Sequence, residues 1–337
     1  MQTFSICIPA YKRAIFLAPL LESILSQDFD DYEIIVSEDR SPEREEIKEI
    51  VSAYQEKYGN NKIKYFENDK NLGYDGNLRQ LIRLAKGKYC FFMGNDDLLK
   101  PGALKLVNNQ ISAHQCIGIV LRSYEWFNET GTEHVVHYCP NNKLFQAGED
   151  AIVFAFRRVG VISGYVIDRK RAQEIDTDKY DGTLFYQMYL TINVLKDMDA
   201  LYIDETIVMC RNDIPPDFGH SAAEKHHFTP GEYTAASRLA MVSGILNIAK
   251  KECEINNFSF FNKILDDIAK YSFPILSRER QRGMYSFIKT YYRLGCMGLG
   301  RKIHFHAYFL LLLILGKKNS DLLVFSIKNK IGYTPNL

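Results

Sequence analysis

The sequence has no surplus of either charge: 42 Lys and Arg stand against 41 Asp and Glu, a net charge of +1 in 337 residues. Nucleic-acid binders show a basic excess, so nucleic acid is not an expected partner. There is no Cys-x-x-Cys pair. The seven cysteines (Cys7, Cys90, Cys116, Cys139, Cys210, Cys253 and Cys296) are odd in number and scattered, which argues against zinc and fits a reducing compartment. Cys7 and Cys90 lie inside apolar runs, where a thiol acts as a small hydrophobe. The chain opens without a basic leader or cleavage site, and a cytoplasmic protein is expected. No GxxxxGK[ST] and no strand-linked GxGxxG occurs in the first unit, so a glycine-rich phosphate cradle is not expected. The apolar run at 307–315 has nine residues, whereas a spanning helix needs about 20.

What is present is alternation of strand and helix. Residues 4–8, 33–36, 63–66, 89–93 and 117–121 read as strands, the fourth wholly apolar. Between them, Leu17, Leu20, Leu21, Ile24 and Leu25, then Ile47, Ile50, Val51 and Tyr54, then Leu78, Leu81, Ile82 and Ala85 recur at helical spacing. A further helix is expected near 101–111. Ser41-Pro42 reads as a helix cap followed by the first helical residue, and Gly87 as a helix stop. Such alternation implies an α/β fold with a mostly parallel sheet flanked by helices. A hairpin is expected at 124–127 and 134–138, then a strand at 161–167, a helix at 184–195 and strands at 201–203 and 207–210. A Pro-, Asp- and His-rich loop follows, and from residue 233 to about 330 everything reads helical. The expected division is an α/β domain at 1–211, a flexible active-site loop at 212–232 and a helical region at 233–337.

Ligands of an open parallel sheet bind beyond the carboxyl ends of its strands. Those ends carry Pro9-Ala10-Tyr11-Lys12-Arg13, Ser37-Glu38-Asp39-Arg40-Ser41 and Gly94-Asn95-Asp96-Asp97. Carboxylates converging there repel a diphosphate unless a hard divalent ion such as Mn2+ or Mg2+ lies between them. Taken alone, Asn-Asp-Asp also suits a solvated turn, and Asp39 also suits a helix-capping acid. Together they point to a metal–nucleotide site.

These segments resemble the opening of family 2 glycosyltransferases with the GT-A fold, a Rossmann-like sheet. The resemblance runs from Ser5 to Arg13, through Tyr32 to Asp39, to Asn71-Leu72-Gly73, Asn77, Ala85 to Tyr89 and Asn95-Asp96-Asp97. A fainter similarity through Gly73 to Asn77 and Gly182 to Phe185 points to an abequosyltransferase-like branch acting on bacterial surface polysaccharide. The resemblance implies that Pro9, Tyr11 and Arg13 line the nucleotide pocket and that Asp39 bonds the base of a UDP- or dTDP-sugar. It further implies Asp97 as metal ligand, Asp96 towards the donor ribose or sugar, and Arg211 and His220 near the diphosphate. For His220, as for His226 and His227, a solvated loop is the competing reading. The family's usual Glu-Asp pair falls on Tyr186-Gln187, and glutamine cannot accept the acceptor's proton. Asp181 is therefore the expected base, or alternatively the cap of the following helix.

The implied function is sugar transfer, with inversion, to a saccharide or polyprenyl-diphosphate-linked acceptor. An inactive sugar-binding protein and a nucleotidyltransferase are the alternatives. Residues 301–330 carry Arg301, Lys302, Lys317, Lys318, Lys328 and Lys330 around the apolar run, which suits either a helix on an anionic membrane surface or a core helix.

Overall fold

Burial on both faces places the first strand at the middle of the sheet: Phe4, Ile6, Cys7 and Ile8 are all inaccessible to solvent. The computed structural model describes residues 2–331, with side chains to residue 327. Lys328 and Lys330 of the basic tail and the end of the 233–337 region lie outside the described residues or side chains.

The first half runs β1 (Phe4–Ala10), α1 (Ala14–Leu25), β2 (Tyr32–Glu38), α2 (Arg44–Tyr58), β3 (Ile63–Glu67), α3 (Gly73–Leu84), β4 (Tyr89–Phe92), β5 (Leu98–Leu99), α4 (Ala103–Ser112) and β6 (Ile117–Asn128). It continues through β7 (Gly131–Val136), β8 (Lys143–Phe145), α5 (Glu149–Arg158), β9 (Val166–Asp168), α6 (Arg169–Glu174), α7 (Tyr186–Leu195) and β10 (Asp199–Arg211). The helical end holds α8 (Ala235–Asn256), α9 (Phe261–Lys270), α10 (Phe273–Arg282), α11 (Met284–Cys296) and α12 (Ile303–Ile331).

The sheet order is β3-β2-β1-β4-β9-β6-β10-β5, with β7 on β6 and β8 on β10. Strands β3, β2, β1 and β4 are parallel. The short β9 is antiparallel to both β4 and β6, and β6 and β10 are again parallel. Strands β1, β2, β4, β6 and β10 therefore point one way, and their carboxyl ends share one edge. That shared edge positions the site.

Several local expectations are corrected. The strands expected at 117–121 and 124–127 are one strand, β6, and those at 201–203 and 207–210 are one strand, β10, which absorbs irregularities at Thr206 as bulges. The strand expected at 161–167 shrinks to β9, and α5 and α6 were not foreseen. The hairpin holds, with Tyr124 opposite Val136. Ser41 does not cap α2, which starts at Arg44. Its hydroxyl instead accepts the amides of Lys12 at 2.8 Å and Glu43 at 3.0 Å, tying the β1–α1 turn to the β2–α2 turn. Gly87 does not stop α3, which ends at Leu84. A Cβ on Gly87 would lie 2.6 Å from the backbone of Phe4 and Ser5, so the glycine lets β1 and the approach to β4 come together.

The segment after β10 is folded rather than trailing. Phe218 and Phe228 are buried with Leu184 in a small apolar cluster, their rings edge-on at 5.4 Å. The main core is continuous from the sheet into the terminal helices, where Leu276, Phe287 and Leu312 join it.

If Gly87 is there for close approach, Gly87→Ala should cost about 1–3 kcal/mol of stability, the scale of overpacking a tight contact. Urea unfolding measures this. Gly59→Ala, with nothing within 4 Å of its Cβ but φ 88, isolates the cost of positive φ alone.

Candidate active site

At the carboxyl ends of β1, β2 and β4 the chain opens into a cavity of about 480 Å³, within the usual size of a small-molecule site. Pro9, Tyr11, Arg13, Asp39, Asp96, Asp97, Arg211 and His220 all line it; Asp181 does not.

The turn after β1 is left-handed at two successive residues, Lys12 (φ 53) and Arg13 (φ 59). Each costs roughly 1–2 kcal/mol for an L-residue, and such strain collects at functional sites. The turn throws the Arg13 guanidinium across the cavity, where Nη1 donates to Asp96 Oδ2 at 2.7 Å and Nη2 to the Pro215 carbonyl at 2.6 Å. Asn95 Nδ2 donates to the Lys12 carbonyl at 2.9 Å. An ionised aspartate has no proton to donate there, which accounts for Asn at the first position of the acidic motif.

Asp97 is gripped from two other elements. The Ser163 hydroxyl donates to its Oδ2, and the Arg211 amide donates to Oδ1 at 2.7 Å. A Cβ on Gly94 would sit 2.9 Å from that carboxylate, so a side chain there would displace it. Burial pushes the Asp97 carboxyl up from the usual range, and the neighbouring Asp96 charge adds to this. Burial raises Asp96 too, outweighing Arg13 and Arg211. Behind them lies Arg122, wholly buried, with Nη2 on the Val161 carbonyl at 3.0 Å and Nε and Nη1 without partners.

Asp39 does cap a helix, but not the one that follows it. Its Oδ1 accepts from the Leu72 amide at 2.8 Å and Asn68 Nδ2 at 3.0 Å, and its Oδ2 from the Gly73 amide at 2.9 Å. It thus holds the start of α3 while still facing the cavity. Burial lifts its carboxyl to about 6 despite these donors.

The loop after β10 closes the other side. Asp217 Oδ1 lies 3.1 Å from both Lys12 Nζ and His220 Nε2, and the His220 ring lies 5.5 Å from that of Tyr11. The Arg211 guanidinium sits between the rings of Phe16 (4.2 Å) and Phe127 (4.6 Å). Glu224, which nothing in the sequence singled out, lines the cavity and accepts the amides of Tyr74 at 2.7 Å and Gly219 at 2.9 Å. Ser163 and Asp217 were missed as well, and Lys12, named at the end of the first strand, was given no role. Their signal is tertiary, since each acts through a partner distant in the chain. His226 and His227 are exposed.

Asp181 is placed otherwise than expected. Its Oδ2 accepts from Arg79 Nη1 at 2.6 Å, outside the cavity. Nor does it cap α7. That role falls to the buried Asp75 of α3, which accepts the amides of Tyr186 at 2.9 Å and Leu184 at 2.8 Å. Arg79 and Arg83 both bond Asp176 rather than reaching the cavity. The Gln187 side chain is buried with Oε1 unpartnered. The turn into α7 shows the cavity two apolar residues, Leu184 and Phe185.

Among the described residues no three His, Cys, Asp or Glu side chains assemble into a metal cage. The Asp96–Asp97 pair instead suits a hard cation that takes its remaining ligands from phosphate and water. The buried, mutually repelling carboxylates are the observation that fits such an ion.

Residues 5–164 match the sequence profile of Glycosyl transferase family 2. The abequosyltransferase RfbV of Salmonella typhimurium is 29% identical, over 62% of this chain and 66% of that one. An undecaprenol-linked-glycan β-1,3-glucosyltransferase of Campylobacter jejuni is 36% identical over 31% of this chain and 33% of its own length. The chain thus spans from a third to just under two thirds of these curated relatives. Among solved structures, S. aureus TarS 1-349 with UDP-GlcNAc superposes with a TM-score of 0.56 at 13% identity, covering 92% of this chain and 90% of that one. The mannosyltransferase PcManGT of Pyrobaculum calidifontis, with GDP-Man and Mn2+, gives 0.51 at 14% identity, covering 99% of this chain and 81% of that one. At these identities the likeness establishes the fold, which is of the GT-A type.

The cap assigned to Asp75 has a pH signature. Burial raises its carboxyl to about 7, against 3.8 when free. Between those values the folded chain holds a proton that the unfolded chain releases, so Asp75 lowers stability as pH rises. Relative to Asp75→Asn, wild type should lose stability from about pH 4 to pH 7 and then level off. Denaturant melts of both proteins across that range read the difference.

Proposed function

We propose, on the premise that residues 5–164 are a family 2 glycosyltransferase domain, that the chain transfers a sugar, with inversion, from a nucleoside-diphosphate donor to a saccharide or lipid-linked saccharide acceptor. The observation that carries this reading is the buried Asp96–Asp97 pair, set in the same cavity as the buried carboxylate of Asp39. Asp39 retains lone pairs beyond its three bonds and accepts an imide N–H of uracil or thymine, so a UDP- or dTDP-sugar is favoured. The UDP-GlcNAc complex of a structural neighbour supports that choice. A divalent cation held by Asp97 supplies charge neutralisation between the acids and the donor diphosphate.

The remaining work falls to the chain's own side chains. Arg13 holds Asp96 in place. Arg211 brings positive charge towards the departing diphosphate, while Lys12 and His220 hold Asp217. The acceptor oxygen bonds the anomeric carbon as the bond to the diphosphate oxygen breaks, and a carboxylate takes the hydroxyl proton. We assign that base to Asp217. Asp39 and Glu224 are committed to backbone amides and Asp96 adjoins the proposed metal ligand Asp97, whereas Asp217 lines the cavity and is held by the Lys12 and His220 side chains alone. Asp181, paired with Arg79 outside the cavity, is not placed for the task.

One observation favours a second reading, a nucleotide-sugar-binding protein that does not transfer. The positions expected to carry the acidic pair, Tyr186 and Gln187 at the start of α7, are buried and hold no carboxylate, and the turn before them shows the cavity Leu184 and Phe185. Release of free nucleoside diphosphate from UDP-sugars on adding acceptor separates the two readings, since a binder releases none.

Three substitutions test the assignments. Asp97→Asn should leave the melting temperature near wild type but remove most turnover and the manganese dependence of donor binding; full turnover in excess EDTA would overturn the metal role. Asp39→Asn should weaken UDP binding by about 1–3 kcal/mol, the scale of losing a charged hydrogen-bond partner; unchanged affinity by calorimetry would leave Asp39 a cap only. For the base, Asp217→Asn should cut the transfer rate by about 10²–10⁴-fold with donor affinity kept, while Asp181→Asn transfers normally. The reverse pattern restores Asp181.

A further inference from the structure

The last two helices carry a broad apolar surface that nothing in the described chain covers. On α11, Tyr285, Ile288 and Tyr292 recur at i, i+3 and i+7 and are 78%, 48% and 71% exposed, while Phe287 and Leu294 are buried. Helix α12 is divided in the same way. Its nine-residue apolar run is neither wholly core nor wholly surface: Leu312 packs inward whereas Ile314 is 76% exposed, and just before the run Phe305 is buried while Ile303 is 76% exposed. At Gly316 (φ 68, ψ 177) the helix kinks, and beyond it Ser320 is buried while Leu322 and Phe325 are 60% and 63% exposed. Contiguous exposed apolar area of this kind marks an interaction surface.

Charge identifies the occupant. From residue 282 to the end the sequence holds nine Lys and Arg but one acid, Asp321. Asp321 is already paired with Lys317 at 2.6 Å and accepts the Ser277 hydroxyl. Since the whole chain has a net charge of +1, the rest of it is acidic. A second copy of this face would bring like charges together with no carboxylate in residues 282–337 beyond the already paired Asp321 to answer them. An anionic bilayer surface offers complementary charge, apolar depth for the isoleucines and a headgroup layer for Tyr285 and Tyr292. No helix among the described residues is long and apolar enough to cross a membrane.

We infer that the α11–α12 face docks on an anionic lipid bilayer, lying in its surface. The position of this face relates it to the cavity. Arg282, just before α11, donates to the Tyr233 carbonyl at 2.9 Å, and Tyr233 lines the cavity. A membrane-held acceptor therefore meets the cavity near its mouth. That last link rests on the proposed function; the docking does not.

The test is flotation of the full chain with phosphatidylglycerol–phosphatidylcholine vesicles and with phosphatidylcholine alone. Wild type should float with the anionic vesicles, float at least about tenfold less with neutral ones, and be released as salt screens the lysines. The double variant Ile288→Glu/Ile314→Glu should lose binding about tenfold or more with its melting temperature and UDP binding unchanged. Lys289→Glu/Lys318→Glu should lose it with the apolar face intact. Wild type that ignores anionic vesicles, or an Ile288→Glu/Ile314→Glu variant that floats like wild type, overturns the inference. So does a wild-type dimer, seen by sedimentation without lipid, that the same double variant splits, because the face then belongs to a second copy. Loss of flotation with retained sugar transfer in detergent separates this inference from the proposed function.

Discussion

Two adjacent carboxylates withdrawn from water at the end of β4 are the constraint around which the site is built. Each raises the other's cost of ionisation, and neither position is tenable without donors brought from elsewhere. Arg13 comes from the turn after β1, Ser163 from the approach to β9 and the Arg211 amide from the end of β10. These three elements lie far apart in sequence and meet because β1, β4 and β10 point the same way in one sheet. The strand order is thus a requirement of the Asp96–Asp97 pair. The short antiparallel β9 serves it directly, since the turn leading into that strand delivers Ser163.

A second acid organises the neighbouring wall in the same manner. Asp39 ends β2 yet caps α3, and α3 in turn lends Asp75 to cap α7. Each of these two helix starts takes a carboxylate from another element in addition to its own flanking residue, Asn71 for α3 and Thr183 for α7. Displacing α3 would release both caps and, through them, the two walls of the cavity. Glu224 adds a third such link, fastening the loop after β10 to the start of α3 through the Tyr74 amide. The loop is held by this carboxylate and by the Phe218–Phe228 cluster, and so keeps Asp217 and His220 over the end of β1.

The terminal helices obey a different balance. Their inner stripe extends the core, and their outer stripe leaves large apolar side chains in water among cations. Each helix turns alternate faces to two environments, so one apolar run serves both packing and the outward surface. This removes the apparent choice between a core helix and a surface helix.

The sequence by itself determined the strand–helix alternation of the first 125 residues, because a 3.6-residue period and wholly buried strands leave direct marks in the order of apolar side chains. It also determined which strand ends carry polar groups, and eight of the nine residues expected at the site from the sequence and its family resemblance line one cavity. What it misplaced were matters of partnership: Ser41 and Asp181 as caps, Gly87 as a stop, and the split of β6 and β10 into separate strands. Local pattern shows that an Asp or Ser can cap a helix, but not which helix, since the accepting oxygen and the donating amide are 33 to 111 residues apart for Asp39 and Asp75. The tertiary structure alone decided that Asp181 faces Arg79, that Asp217 faces the cavity, and that the run at 307–315 is half buried. Those outcomes depend on which surfaces pack together, and no window of sequence contains both sides of a contact.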